Sequence, residues 1–102
     1  MASKVEQVNE LADMIEEEML FIGSDPTEFE DAILGIADRF GASPVIAYDY
    51  DKVIDILQQQ FKETGHLDND EDSYISAIEW FEYNIIGAYM GEGTPIYIER
   101  LT

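Results

Sequence analysis

In the stretch LDNDEDSYISAIEW, residues 67 to 80, Asp68, Asp70 and Asp72 alternate, and Glu79 stands twelfth counting from Asp68. This is the carboxylate spacing of an EF-hand calcium loop, which offers a hard cation oxygens from alternate early positions, one backbone carbonyl and a bidentate Glu at the twelfth. Tyr74 would supply the carbonyl, and Ile75 falls where the apolar loop residue belongs. The sixth position is Ser73, where the sharp turn calls for Gly, and Thr64, Gly65 and His66 interrupt the helix that should lead into the loop. An ordinary helix entrance explains the same residues, with Ser73 or Asp72 as cap and the acids complementing the positive helix end. Calcium is thus the one cofactor the spacing suggests, and the helix entrance is the preferred reading.

The feature with the largest physical consequence is charge. The chain has 102 residues, with 23 Asp and Glu against five Lys and Arg, a formal net charge of −18. Both halves carry the excess, so there is no separate acidic tail. A body so charged repels nucleic acid and anionic membrane and attracts basic surfaces. Near the N-terminus Glu6, Glu10, Asp13 and Glu17 follow each other at i, i+4, i+7 and i+11, with Glu16 and Glu18 adjoining. On a helix such a row sets charges about 5–6 Å apart, comparable to phosphates along a nucleic-acid strand. Glu6, Glu10, Asp13, Glu16 and Glu17 are therefore the candidate contact residues for a basic partner, a nucleic-acid-binding protein being the type that such a row would suit. The bland alternative is a surface whose charge only keeps the protein in solution.

Other chemistry is poorly supported. There is no cysteine, which excludes disulfides, thiolate metal sites and a thiol nucleophile. The lone His66 sits in a polar loop, and paired carboxylates for glycosidic chemistry need a cleft that a small helical domain rarely encloses. Gly87, Gly91 and Gly93 follow a helix rather than a strand and lack the Lys of a phosphate loop. The expectation is a protein that is not an enzyme.

The elements that must position these residues follow from periodicity. Val5, Val8, Ala12, Ile15, Met19 and Ile22 predict a helix over about 4–22, ending at Gly23. Asp25, Pro26 and Glu28 resemble a helix start, and Phe29, Ala32, Ile33, Ile36, Ala37 and Phe40 a buried stripe, so a second helix is predicted over about 26–40, closed by Gly41. Val45 to Tyr48 predicts a strand over about 45–48, and Tyr50, Val53, Ile54, Leu57 and Phe61 a helix over about 50–63 capped by Asp49 or Asp51. Tyr74, Ala77, Ile78, Phe81, Ile85 and Tyr89 predict a helix over about 73–90, and a strand follows over about 95–99, expected to pair with the first. If Phe81 is buried, Trp80 and Tyr83 fall on the flanks of their helix. The fold class expected is α+β, predominantly helical, four helices with a small two-stranded sheet in a single domain over 1–102. The first helix also suits pairing with a second copy, so a homodimer through it stays open. No basic leader or membrane-length apolar run is present, so a cytoplasmic protein without membrane contact is expected.

Two stretches, DAILGIADRFGASPVIAYDYDKVIDIL and AIEWFEYNIIGAYMGEGTPIYI, carry a pattern through Pro44, Val45, Tyr48, Asp49, Tyr50 and Lys52, then Phe81, Glu82 and Asn84, then Gly87, Ala88, Gly91, Glu92, Thr94 and Pro95. The pattern resembles a family of small acidic proteins of tailed bacteriophages and prophages, over residues 28 to 98 or so. The joint FKETGHLDNDEDS is longer here than in that family, Trp80 stands where Tyr is more usual, and the long acidic first helix is not part of the shared pattern. The resemblance implies a small viral protein acting in the host cytoplasm, of the kind that inhibits or redirects a nucleic-acid machine of the host. Together with the charge, it frames the expectation of a DNA mimic or anti-defence inhibitor, with calcium binding or self-association as alternatives.

Overall fold

The computed structural model describes residues 2–63, 70–86, 91 and 93–101. Along the chain it forms α1 (Lys4–Ile15), β1 (Ile33–Arg39), β2 (Ala42–Asp49), α2 (Tyr50–Glu63), α3 (Asp70–Phe81) and β3 (Ile96–Ile98). A 3-10 turn at Glu30–Ala32 leads into β1, and a π-helical turn at Glu82–Ile86 continues α3. The strands make one mixed sheet in the order β1-β2-β3, with β1 antiparallel and β3 parallel to β2. The class is α+β, but three α-helices and a three-stranded sheet among the described residues replace the expected four helices and two strands.

The correction falls mainly on residues 26–40. Asp25 and Glu28 do take up backbone N–H groups, Thr27 N–H donating to Asp25 Oδ1 at 2.7 Å and Ser24 N–H to Glu28 Oε1 at 2.7 Å. These bonds close a turn rather than start a helix, and the Glu28 side chain also accepts from Gln60 Nε2 at 3.1 Å, fastening the turn to α2. Gly23 permits this with φ of +95°; a Cβ there would come within 2.4 Å of Glu28 Oε1. β1 then breaks its pairing register between Ile33 and Gly35. A bulge of this kind sets two successive residues against one, so Ile33 and Ile36, three apart, share a sheet face and imitate helical spacing. Phe40, expected in the core, is fully exposed at the hairpin turn, which reverses through Gly41 at φ +77°.

The first helix is also shorter than expected. It ends at Ile15, where Glu16 adopts the left-handed conformation with φ 55° and its N–H turns back to the Ala12 and Asp13 carbonyls. Residues 17–22 run on without regular structure and bury Met19 and Ile22. Leu20 N–H donates to the Gly93 carbonyl at 3.2 Å, and a Cβ on Gly93 would press to 2.8 Å from the Glu18 carbonyl oxygen. The expectation for 50–63 matches α2, with Asp49 as cap accepting from Lys52 N–H at 3.3 Å. The last helix begins at Asp70, earlier than expected, and passes into the π-helical turn; positions 87–90 of the expected helix, Tyr89 included, lie outside the described residues. Tyr74, expected on its buried stripe, is half exposed.

The two sheet faces differ sharply. Paired residues share a face, so Ile33, Tyr48 and Tyr97 lie together, as do Ile36 and Ile46. This is the core face. Tyr48 stacks on Tyr97 with centroids 6.1 Å apart, and Phe81 from α3 meets Tyr97 edge-on at 4.9 Å and Tyr50 at 5.3 Å. Val53, Ile54 and Leu57 of α2, Ala77 of α3 and Phe29 complete the buried cluster. The Tyr48 hydroxyl accepts from Ile22 N–H at 3.2 Å, which satisfies a buried backbone donor of the irregular segment. The opposite face carries Gly35, Ala37, Val45, Ala47, Ile96 and Ile98. At its end Asp49, 3% exposed, is ion-paired with Arg100. Burial acts to raise the Asp49 carboxyl, but the Arg100 guanidinium and Lys52 N–H outweigh it and hold the group below the usual carboxylate range.

Candidate interaction surface

α1 is placed by its cap and by one long-range bond. Glu6 N–H donates to Ser3 Oγ at 3.1 Å, and Val5 N–H donates to Glu30 Oε2 at 2.8 Å. Val8 is buried, and Leu11 and Ala12 pack half-buried against the core, so the apolar stripe of α1 is engaged within its own chain. Glu6, Glu10 and Asp13 remain together on the exposed side of the helix. Glu16 and Glu17 lie beyond the helix end, so the expected continuous row bends at the left-handed residue and goes on through Glu16, Glu17 and Glu18, all exposed.

The bend creates something a straight helix would lack. Asp13, Glu16, Glu17 and Glu18 stand around a shallow depression of about 680 Å³, whose wall includes Ala12, Leu20 and Phe21. Carboxylates beside apolar carbon match the divided character of Lys and Arg, whose aliphatic stems lie on apolar surface while the charged head reaches polar groups. None of these four acids, nor Glu6 or Glu10, is ion-paired with a described residue. No sequence signal reported this depression, because it depends on the chain leaving the helix at Glu16.

The calcium candidates are placed differently. Asp68 lies outside the described residues, and Asp70, Asp72 and Glu79 all fall on α3. On a helix Asp72 and Glu79 are separated by about 10 Å along the axis, whereas an EF-hand needs positions 1 to 12 folded as a loop around the ion. Among the described residues no group of three or more His, Asp or Glu side chains is placed to hold a metal ion. His66 also lies outside the described residues.

A larger recess, about 750 Å³, opens between the hairpin end of the sheet and the segment before β3, lined by Ala37, Asp38, Val45, Pro95 and Ile96 among others. Among the described residues of that lining Asp38 is the single titratable one. Phe81 at the end of α3 is buried, while Trp80 beside it and Tyr83 in the π-helical turn are exposed. Trp80 makes an edge contact with Phe61 at 6.5 Å, and Tyr83 is 85% exposed. The Tyr50 hydroxyl donates to Glu82 Oε1 at 3.2 Å. Burial first, and this bond second, push Tyr50 up to about 12.

No helix among the described residues is long and apolar enough to cross a membrane. No family model, curated protein or solved structure matches the chain.

Proposed function

We propose that this chain is a non-enzymatic acidic interaction protein of phage type, which occupies the basic surface of a nucleic-acid-binding protein in place of DNA or RNA and so inhibits it in the host cytoplasm. The observation that carries the reading is the exposed run Glu6, Glu10, Asp13, Glu16, Glu17 and Glu18, which bends around an apolar-walled depression. Like charges as close as Glu6, Glu10 and Asp13 destabilise a helix by a few tenths of a kcal/mol per pair, and none of the three is ion-paired with a described residue. A partner presenting Lys and Arg would offset them, as it does phosphates. Charge complementarity of this kind acts mainly on the association rate and is screened by salt over about 8 Å at physiological ionic strength.

The test is capture from a bacterial lysate at low salt, elution with a salt gradient, and competition with duplex DNA. A variant carrying Glu6→Gln, Glu10→Gln, Asp13→Asn, Glu16→Gln and Glu17→Gln serves as control. The reading expects one nucleic-acid-binding protein that DNA displaces and the control does not retain. Elution of a broad set of basic proteins, or equal retention by the control, refutes it.

A further inference from the structure

We infer that the outer edge of β1 is a self-association surface, along which a second copy of the chain lays its own β1 antiparallel and joins the two sheets. β1 stands at one end of the strand order, and between Leu34 and Arg39 the main-chain hydrogen bonds to described residues go to β2 alone. Along a strand the N–H and C=O groups alternate between its two edges, so about half of those in β1 face outward with no described main-chain partner. The other edge of the sheet is different. β3 has three residues, with Pro95 before it and Glu99 and Arg100 after it, and short length, proline and charge are what keep an edge from pairing. β1 has seven residues, and from Ile33 to Ala37 it holds neither charge nor proline in a chain with 23 Asp and Glu. Its register breaks lie toward the two ends and leave Gly35 to Ala37 in regular pairing with Ala47 to Val45.

Two observations select a second copy as the occupant. Leu34 is 52% exposed at the base of the hairpin and Phe40 fully exposed at its tip. Antiparallel pairing about the strand centre sets the tip of each copy beside the base of the other, so Leu34 meets Phe40 at both ends within the reach of cross-strand neighbours. A two-fold interface supplies that match by symmetry. Charge makes the same selection. Residues 32–48 hold one acid, Asp38, and one base, Arg39, so the net charge of −18 lies wholly outside the hairpin. A second copy therefore meets least repulsion here, whereas a basic strand finds no complementary charge. A strand pair of this length draws on main-chain hydrogen bonds and buries less than the roughly 800 Å² per partner of a permanent complex. The dimer is accordingly reversible, forms at about 0.1–1 mM, and tightens as salt screens the repulsion between the two acidic bodies.

The test is sedimentation equilibrium from about 10 µM to 1 mM, at low and at physiological salt, with amide hydrogen exchange on dilute and concentrated samples. The mass is expected to rise toward that of two chains, further in the higher salt, and exchange within residues 34–38 to slow with concentration. Leu34→Glu and Phe40→Glu, both at exposed positions, should each weaken the dimer at least about tenfold. Leu34→Lys lowers the net charge and should weaken it as well, which separates loss of the contact from added repulsion. Met14→Glu, on α1 and 80% exposed, should leave it unchanged. The mass of a single chain at every concentration, exchange in 34–38 that concentration does not slow, or a dimer that any of the three folded hairpin variants leaves intact overturns the inference. Dispersal by Met14→Glu alone assigns association to the first helix and equally overturns it. Salt strengthens this dimer and weakens capture of a basic partner, and none of these variants alters the acids of α1, so either reading can fail without the other.

Discussion

Replacing Asp49 isolates two contributions at the point where β2 becomes α2. Its carboxylate caps α2 through Lys52 N–H and ties the segment after β3 through Arg100, while the residue itself is 3% exposed. Loss of an Asp cap costs about 1 kcal/mol. A charged hydrogen bond contributes about 1.5–3 kcal/mol when buried, but the Arg100 side chain is 68% exposed, so screening reduces Asp49's share to about 1 kcal/mol. Asp49→Ala should therefore lose about 2 kcal/mol, and Asp49→Asn, which keeps a capping oxygen, about half that. At about 4–8 °C per kcal/mol for a domain of this size, thermal unfolding by circular dichroism should show Tm lowered by roughly 10 °C and 5 °C. The pH dependence gives a second readout. The folded carboxyl is held below its ordinary value, so its stabilisation is present above about pH 4 and is lost as pH falls through the lowered folded value. Wild type and Asp49→Asn should differ constantly from pH 7 to about 4 and converge below. Against this, the net charge of −18 makes both proteins more stable as pH falls from neutral toward about 5, because self-repulsion is relieved. Identical Tm values for Ala and Asn variants, or a gap that persists unchanged at about pH 2, would refute the assignment.

Tyr48→Phe keeps the stack on Tyr97 but leaves the buried Ile22 N–H without its acceptor; a loss of about 1–3 kcal/mol is expected in urea unfolding, and an unchanged midpoint would contradict the bond. Tyr50, pushed up to about 12 by burial and then by Glu82, should appear as a late phase in absorbance titration, and Glu82→Gln should move that phase toward 10. Because the folded value is the higher one, Tyr50 stabilises fully below about pH 10 and loses this contribution as pH rises toward 12; a Tyr50→Phe variant with the same alkaline limb would refute it. Millimolar calcium should leave Tm unchanged, since Asp70–Phe81 is helical; a rise of several degrees that Glu79→Gln abolishes would show that residues 68–79 form an ion-binding loop.

Some of this molecule is local enough to be read from its residues in order. Charge is a property of composition, and α2 is announced by Asp49 and by an apolar stripe from Val53 to Leu57 that the structure buries. The pairing of 45–48 with 96–98 was legible because both runs are β-branched and aromatic and lie between breakers; the structure joins them in parallel through Tyr48 and Tyr97. The run 29–40 misleads for a physical reason. Apolar residues three and four apart fit a helix and also fit a strand with a bulge, and the sheet edge offered by β2 decides between them. Local propensity does not contain that edge. The end of α1 is a similar case. Met19 and Ile22 continue its helical spacing, yet they reach the core along an irregular path held by Gly93 and Tyr48. That path bends the acidic row at Glu16 and forms the depression. Sequence thus determined the amount and the sign of the charge and which residues are apolar. Tertiary structure alone decided where the acidic row turns and which sheet face the helices pack on, because both depend on contacts between residues distant along the chain.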